Sequence, residues 1–179
     1  MRTIEIRRHS LRDRPEEHLS SAGRELARQV GRDAGPFGRV FSSPSPRAVE
    51  TANEMGFLDP ELRREWEELG PEINAEVGWP SPFQRYAPPL LSESAARGKA
   101  RMLLSDLEEM LRSLPDPGRG LVVTHGGFPE LIAVALFPWS DHVTWGGPLR
   151  CMEGVRISYE GQRPEECVIL RLSPAVTRL

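Results

Sequence analysis

The sequence predicts an α/β protein, built as a three-layer α/β/α sandwich with a mostly parallel sheet. Short apolar runs alternate with amphipathic segments along the chain, which is typical of parallel strands covered by helices on both faces. A chain of 179 residues, of which 39% are hydrophobic, is long enough to bury one substantial core. Two of the apolar runs end in a histidine, at His9 and His125. We therefore expect a single domain over residues 1–179.

The first half of the chain predicts two strand–helix pairs. Residues 3–7 form the first apolar run, and a helix is expected over 20–32, where the Ser20 hydroxyl can cap its first turn. Residues 39–42 predict a short second strand. A helix over 46–55 begins with a proline, which is favoured in the first turn because its fixed backbone angle suits a helix.

The second half predicts the longest helix and the strands that complete the sheet. Residues 60–92 are rich in proline and are expected to be irregular. Residues 94–114 predict the longest helix, with an apolar face formed by Met102, Leu103, Leu107, Met110, Leu111 and Leu114. The remaining elements are expected to be a strand, a short helix and a closing antiparallel hairpin, over residues 121–124, 129–136, 155–159 and 168–172.

The charge and the lysine content exclude several classes of function. The formal net charge of −3 gives no general basic field for nucleic acid or for an anionic membrane. Lys99 is the only lysine, and it lacks the upstream glycine and the following serine or threonine of a phosphate-binding P-loop. Neither nucleic acid nor a membrane is therefore expected as a partner.

The cysteines and the N-terminal residues indicate neither a metal site nor secretion. Cys151 and Cys167 form no CxxC pair and no zinc-ligand spacing, and no metal or other cofactor is expected. The N-terminal residues contain no apolar leader, and no apolar run reaches transmembrane length. We therefore expect a cytoplasmic protein.

The two histidines predict a shared site at one edge of the sheet. His9 follows residues 3–7 and His125 follows residues 121–124, so each lies at the carboxyl end of a predicted strand. Open α/β sheets bind their ligands at that edge. Arg8 lies beside His9, and a planar guanidinium suits phosphate oxygens. A site for a phosphoryl group is therefore expected.

Four stretches of sequence, taken in order, resemble one family. They are Arg8-His9 after a strand, Leu19-Ser20-x-x-Gly23-Arg24 at a helix start, Ser42-Ser43-Pro44-x-x-Arg47-Ala48-x-x-Thr51-Ala52, and Thr124-His125-Gly126-Gly127. Together they resemble the histidine phosphatase superfamily, over about residues 3–136. The resemblance implies a phosphoglycerate mutase-like fold and the transfer of a phosphoryl group through a histidine.

The resemblance also implies roles for four residues. His9 would be the nucleophile, because a neutral imidazole is nucleophilic near pH 7. Arg8 and Arg47 would bind the phosphoryl oxygens, on which negative charge accumulates during transfer, and His125 would be a further donor.

The first motif departs from the family pattern at Ser10, where glycine is usual. A side chain there is expected to narrow the pocket or to place a hydroxyl on the phosphate, and it leaves open that activity has been lost. Arg12 resembles an arginine of the acid-phosphatase branch that touches phosphate, so Arg12 and Ser10 are assigned to substrate binding. Gly126 stands where that branch carries an aspartate acid, which makes the chain more similar to the mutase and small-phosphatase branch.

The proton donor for the leaving group is assigned to Glu65. That branch usually takes its acid from a Leu-x-Glu-x-x-x-Gly segment, and no glutamate of the corresponding residues 62–70 keeps both spacings. Glu65 is the glutamate nearest the leucine, and Trp66 beside it offers the apolar cover that raises a carboxyl pKa. Glu67 and Glu68 remain open as alternatives. So does the absence of an acid, as in small phosphohistidine phosphatases.

These features predict a metal-independent phosphatase that acts on a phosphomonoester or a phosphohistidine through a phosphohistidine intermediate on His9. The expected substrate is a small phosphorylated molecule or a phosphoprotein, and the oligomeric state stays open. The alternatives are a phosphoglycerate mutase-type phosphotransferase and a catalytically inactive module that binds phosphate or a partner. Candidates for the entrance of the site are Trp66, Trp79, Arg85 and Tyr86.

Overall fold

A six-stranded sheet forms the centre of the computed structural model, which describes residues 1–13, 15 and 17–173. Its strands are β1 (Arg2–Arg8), β2 (Arg39–Ser42), β3 (Glu61–Leu62), β4 (Gly118–Thr124), β5 (Gly154–Glu160) and β6 (Arg163–Leu170). The strand order is β3-β2-β4-β1-β5-β6, in which the first four strands are parallel and β5 pairs antiparallel with both β1 and β6. The predicted class, α/β with a mostly parallel sheet, is confirmed. The predicted domain boundaries also include residues 174–179, which lie outside the described residues.

Helices cover both faces of the sheet, as the apolar runs of the strands require. They are α1 (Ser21–Ala34), α2 (Pro46–Glu54), α3 (Pro71–Val77), α4 (Ala87–Leu90), α5 (Ala95–Ser113) and α6 (Phe128–Leu136). On β4, Leu121 and Val123 pack against α1 and α2, whereas Val122 packs on the opposite face in the core that includes α5 and α6. Because both faces of β4 are buried, its sequence is a continuous apolar run rather than an alternating one. Within the described residues, no helix has the length and apolarity needed to span a bilayer.

Most elements lie within a few residues of their predicted positions, because their start and stop signals are local. The Ser20 hydroxyl accepts from the N–H of Gly23 at 3.0 Å and caps α1, and Ser94 caps α5 in the same way. One residue of the predicted apolar face of α5 was assigned wrongly. Met102 is 44% exposed, and the buried face contains Ala96 and Ala100 instead.

Residues 60–92 contain more structure than the prediction of an irregular segment allows. Beyond β3, they form a 3₁₀ turn over Arg64–Trp66, then α3, a second 3₁₀ turn and α4. Trp66 holds the first turn in place, because its indole N–H donates to Asp106 of α5 at 2.6 Å and its carbonyl accepts from the Thr124 hydroxyl at 2.7 Å. This anchor fixes the segment that follows it against the end of β4.

Gly23 is required because the chain after β1 passes directly over α1. A Cβ at Gly23 would lie 2.0 Å from the carbonyl oxygen of Leu11. The same carbonyl accepts from the backbone N–H of Ser20 at 3.1 Å, so it is held in place. This close approach explains the glycine of the second motif by packing rather than by chemistry.

We expect Gly23→Ala to destabilise the fold by about 1–3 kcal/mol, the usual effect of overpacking. Gly98→Ala is the matched control, because Gly98 also lies in a helix and a Cβ there has no atom within 4 Å. The control should stabilise by about 0.5–1 kcal/mol, since alanine favours the helix. Urea denaturation measures both. Equal effects of the two substitutions would contradict this account of Gly23.

Candidate active site

The parallel pairing of β1, β4 and β2 brings three strand ends together. The backbone N–H of His9 donates to the carbonyl of Thr124 at 2.7 Å, and the N–H of Ser43 donates to the carbonyl of Val123 at 2.9 Å. His9 and the residue after Thr124, His125, therefore face one another, with ring centroids 5.2 Å apart. The predicted meeting of the two histidines at one edge of the sheet is confirmed.

A cavity of about 300 Å³ lies over this edge. Its lining includes four of the residues assigned to catalysis and one assigned to substrate binding, namely Arg8, His9, Arg47, His125 and Arg12. Glu67, Glu68 and Trp79 also line it. In the described part of the chain, no group of three or more His, Cys, Asp or Glu side chains is placed to hold a metal ion.

The hydrogen bonds of His9 select one tautomer. Its Nδ1 lies 2.7 Å from the carbonyl oxygen of Ser10, which only accepts, so Nδ1 carries the proton. The Nε–H of Arg47 donates to Nε2 of His9 at 3.2 Å, so Nε2 presents its lone pair. The pKa of His9 is lowered to about 4, chiefly by burial and also by the charges of Arg47 and Arg8, against the opposing effect of the Ser10 carbonyl. His9 is therefore neutral near pH 7.

His125 is held by two serine hydroxyls that were not assigned to the site from the sequence. Its Nε2 lies 2.8 Å from the hydroxyl of Ser43 and 3.3 Å from that of Ser45. Both serines flank Pro44 immediately before α2. This position at the start of a helix is the sequence signal that could have identified them as site residues. The pKa of His125 is lowered to about 3, chiefly by burial and also by the neighbouring His9 and Arg47.

Arg8 is fixed by a backbone carbonyl and by the glycine after His125. Its guanidinium donates to the carbonyl of Leu149 at 2.9 Å. A Cβ at Gly126 would come within 3.1 Å of that guanidinium, so the glycine allows Arg8 to lie flat against the backbone. The Trp79 ring closes the other side, with its centroid 6.0 Å from the guanidinium carbon.

Arg12 and Arg47 share a carboxylate at the mouth of the cavity. Glu17 accepts from Arg12 at 2.9 Å and also pairs with Arg47. Its side chain is half exposed, so it can leave without the cost of exposing a buried group. A phosphate bound by these two arginines would compete with Glu17 for the same donors.

Ser10 does not reach the cavity. Its hydroxyl donates to the carbonyl of Gly23 at 2.7 Å, and its N–H donates to the Thr51 hydroxyl at 2.9 Å. The side chain is fully buried between the loop and the helices. The expectation that Ser10 narrows the pocket or binds phosphate has no support in this arrangement, because the hydroxyl is committed to α1.

The glutamates of residues 62–70 divide between two environments. Glu65 is half-buried and is not among the cavity-lining residues, and its charge acts on Lys99 and Asp106 of α5. Glu67 and Glu68 line the cavity, and the charge of Glu67 acts on Arg47. Glu65, the residue assigned as proton donor, therefore lies outside the cavity lining, and the two alternatives, Glu67 and Glu68, lie within it. A 3₁₀ turn over Arg64–Trp66 separates the two environments, since Glu65 lies within this turn and Glu67 and Glu68 follow it.

The residues expected at the entrance of the site lie in different environments. Trp79 lines the cavity, whereas Trp66 and Tyr86 are fully buried in the core behind it. Arg85 lies outside the cavity lining, with its guanidinium near the carbonyl of Val77.

The two buried histidines predict that acid destabilises the folded protein. Folding lowers both pKa values, so the unfolded chain binds more protons than the folded one as the pH falls from 6.5 toward 4 and below. The contribution of the two neutral histidines to the free energy of unfolding is therefore fully present above pH 6.5, and it is lost as the pH falls through this window. Urea denaturation at a series of pH values from about 7.5 to about 4 should show this decline in the free energy of unfolding.

His9→Asn and His125→Asn should each flatten the pH dependence. His18→Asn is the control, because His18 is an exposed histidine outside the cavity lining. If the stability of His9→Asn and of His125→Asn depended on pH as steeply as that of the wild type, these histidines would not be the cause of the acid sensitivity.

Comparison with known proteins agrees with this fold. Among solved structures, the chain is similar to a mycobacterial glucosyl-3-phosphoglycerate phosphatase, with a TM-score of 0.72, 19% identity and coverage of 97% of this chain and 100% of the other. A phosphoserine phosphatase from Entamoeba histolytica gives a TM-score of 0.70 at 15% identity, covering 96% and 98%. Phosphoglycerate mutase from Bacillus anthracis gives 0.62 at 19% identity, covering 93% and 92%.

Likeness at these identities shows the fold alone, and no curated protein matches the sequence. A family model provides the assignment that the individual structures do not. The model of branch 1 of the histidine phosphatase superfamily matches residues 4–169, which include every motif described above. The chain therefore belongs to branch 1 of the histidine phosphatase superfamily, a family of phosphatases and phosphotransferases.

Proposed function

We propose that the protein is a phosphomonoester phosphatase that forms a phosphohistidine intermediate on His9. The observation that carries this proposal is the state of the His9 ring. Its Nδ1–H is held by a carbonyl, and its Nε2 accepts from Arg47 at a cavity lined by three arginines, where a bound phosphoryl group would take over that donor. A neutral nucleophile beside a cationic anion site is the arrangement that phosphoryl transfer requires.

The first step transfers the phosphoryl group from the substrate to the enzyme. Nε2 of His9 attacks phosphorus, and the bond from phosphorus to the leaving oxygen breaks. Arg8 and Arg47 stabilise the charge that develops on the phosphoryl oxygens, and Glu67 gives a proton to the leaving oxygen. The products of this step are an alcohol and a phosphorylated His9.

The second step returns the enzyme to its starting state. A water molecule attacks phosphorus and gives its proton to the Glu67 carboxylate, while the phosphorus–nitrogen bond breaks. Inorganic phosphate leaves, and His9 regains its Nε2 lone pair. Glu67 thus ends each cycle protonated and ready to act again as an acid.

The substrate is a small phosphorylated molecule or a phosphorylated protein side chain, since the cavity is small and open at its mouth. A mutase remains the second candidate, because a phosphoglycerate mutase has the same fold. The inactive alternative loses one of its two motives, because the Ser10 side chain lies away from the cavity, and the other, the identity of the acid, is tested below. No step in the proposed mechanism uses a metal ion.

Replacement of His9 tests the intermediate. His9→Ala should lower kcat by about a thousandfold or more, since a nucleophile and the groups around it act as a unit. Rapid quench of the wild type with labelled aryl phosphate should trap an acid-labile, base-stable phosphoenzyme that the variant lacks. His142→Asn is the control, because His142 contacts the carbonyl of Phe137 rather than the cavity. Full activity in His9→Ala would refute the proposal.

The acceptor of the phosphoryl group separates a phosphatase from a mutase. With labelled substrate and an added alcohol or phosphoglycerate, the label should appear in inorganic phosphate. Quantitative transfer of the label to the added hydroxyl compound would identify a mutase instead.

The proton donor is tested by pairing Glu67→Gln with Glu65→Gln. A general acid contributes about a hundredfold or more when the leaving group is poor. Glu67→Gln should therefore slow alkyl phosphates by about that factor and should hardly affect aryl phosphates with acidic phenols. Glu65→Gln, a change of the same chemistry two residues away, should leave both rates unaltered. The reverse pattern would return the role to Glu65.

A further inference from the structure

A buried carboxylate joins the loop that follows His125 to the loop whose backbone accepts from Arg8. Glu130 lies in the first turn of α6, and only 1% of it is exposed. One of its oxygens accepts from the backbone N–H of Gly127 at 2.9 Å, and the other accepts from the backbone N–H of Leu149 at 2.9 Å. The two loops are 22 residues apart in sequence and meet at this side chain.

Each of these loops positions a group that lines the cavity. Leu149 accepts from the Arg8 guanidinium through its carbonyl at 2.9 Å, so fixing Leu149 fixes Arg8. Gly127 continues the loop of His125 and Gly126, and Gly126 is the surface on which the guanidinium lies. A shift of either loop would therefore displace Arg8, His125 or both relative to His9.

The chemistry of the contacts requires a carboxylate at this position. Both partners are backbone N–H groups, which only donate, so both ends of the side chain must accept. A glutamine would face one of these donors with its own N–H₂ group. Burial raises the pKa of Glu130, and the backbone N–H groups of Leu149 and Gly127, with the charge of Arg8, oppose that rise by favouring the ionised carboxylate. Glu130 itself is not among the cavity-lining residues.

We propose that Glu130 is a positioning residue that sets Arg8 and His125 relative to the His9 nucleophile. It touches no reacting atom, and it acts by holding the 127 and 149 backbones at a fixed separation. This inference rests on the proposed phosphatase function. Because misplacement harms the transition state more than the bound substrate, the effect should appear in kcat rather than in KM.

The test compares Glu130→Gln and Glu130→Asp with the wild type on an aryl phosphate. Glu130→Gln should lower kcat by about tenfold to a hundredfold, the range typical of misplaced catalytic groups, with KM hardly changed. Inhibition by vanadate, which resembles the transition state, should weaken in parallel, whereas inhibition by inorganic phosphate should not. Glu130→Asp keeps both acceptors on a shorter side chain and should recover part of the lost rate.

Glu5→Gln is the matched control for lost stability. Glu5 is a fully buried carboxylate that accepts from Arg7, Arg119 and Arg156, away from the cavity. This variant should lower the melting temperature and leave kcat unaltered. Wild-type kcat in Glu130→Gln, or an equal loss of kcat in Glu5→Gln, would overturn the proposal. If Glu130→Gln does not fold, the kcat of Glu130→Asp is the test. An unaltered kcat in Glu130→Asp would then contradict the inference.

The two proposals can fail separately. If the wild type hydrolyses no phosphate ester, the proposed function fails, and calorimetry of vanadate binding then tests Glu130. Weaker vanadate binding by Glu130→Gln than by Glu5→Gln would still support the positioning role. Equal binding by the two variants would refute it.

Discussion

The site depends on the placement of β4 between β1 and β2. In this register Arg8 lies opposite Thr124 on one side of β4, and Ser42 lies opposite Val123 on the other. Three parallel strands consequently end at the same level, and the residue that follows each of them enters the site. A slip of one residue would turn every side chain of a strand to the opposite face of the sheet. The buried apolar residues on both faces of β4 therefore fix the geometry of the site as well as the fold.

The electrostatics follow from placing several cations around a small buried space. Desolvation favours neutral imidazoles, and the nearby arginines repel a protonated ring. His9 and His125 are therefore both neutral at pH 7. The arginines cannot respond in this way, because a guanidinium keeps its proton in proteins. The positive charge of the site thus resides on the groups that bind oxygen, and the nucleophile remains uncharged. Glu17 supplies a removable counter-charge at the mouth.

Local signals predicted much of the fold and most of the site. Caps, prolines and apolar periodicity located the main helices and strands, and the histidines at the strand ends predicted the cavity. Other features depend on contacts between distant segments. Ser10 is turned away because Gly23 and Thr51 offer partners to it, and Met102 is exposed because α5 buries Ala96 and Ala100. Neither contact has a sequence pattern of its own.

The glutamates show most clearly where a sequence pattern stops being informative. Its spacing from the leucine and the neighbouring Trp66 favoured Glu65, but Glu67 and Glu68, which follow a 3₁₀ turn anchored through Trp66 to α5 and to Thr124, are the carboxylates that line the cavity. Glu130 is a stronger case, because its partners are backbone N–H groups, which every residue except proline has. The residue types at Gly127 and Leu149 therefore give no sequence signal of this contact. A residue of this kind is recognised only from the structure, although it is bonded to the loop that accepts from Arg8.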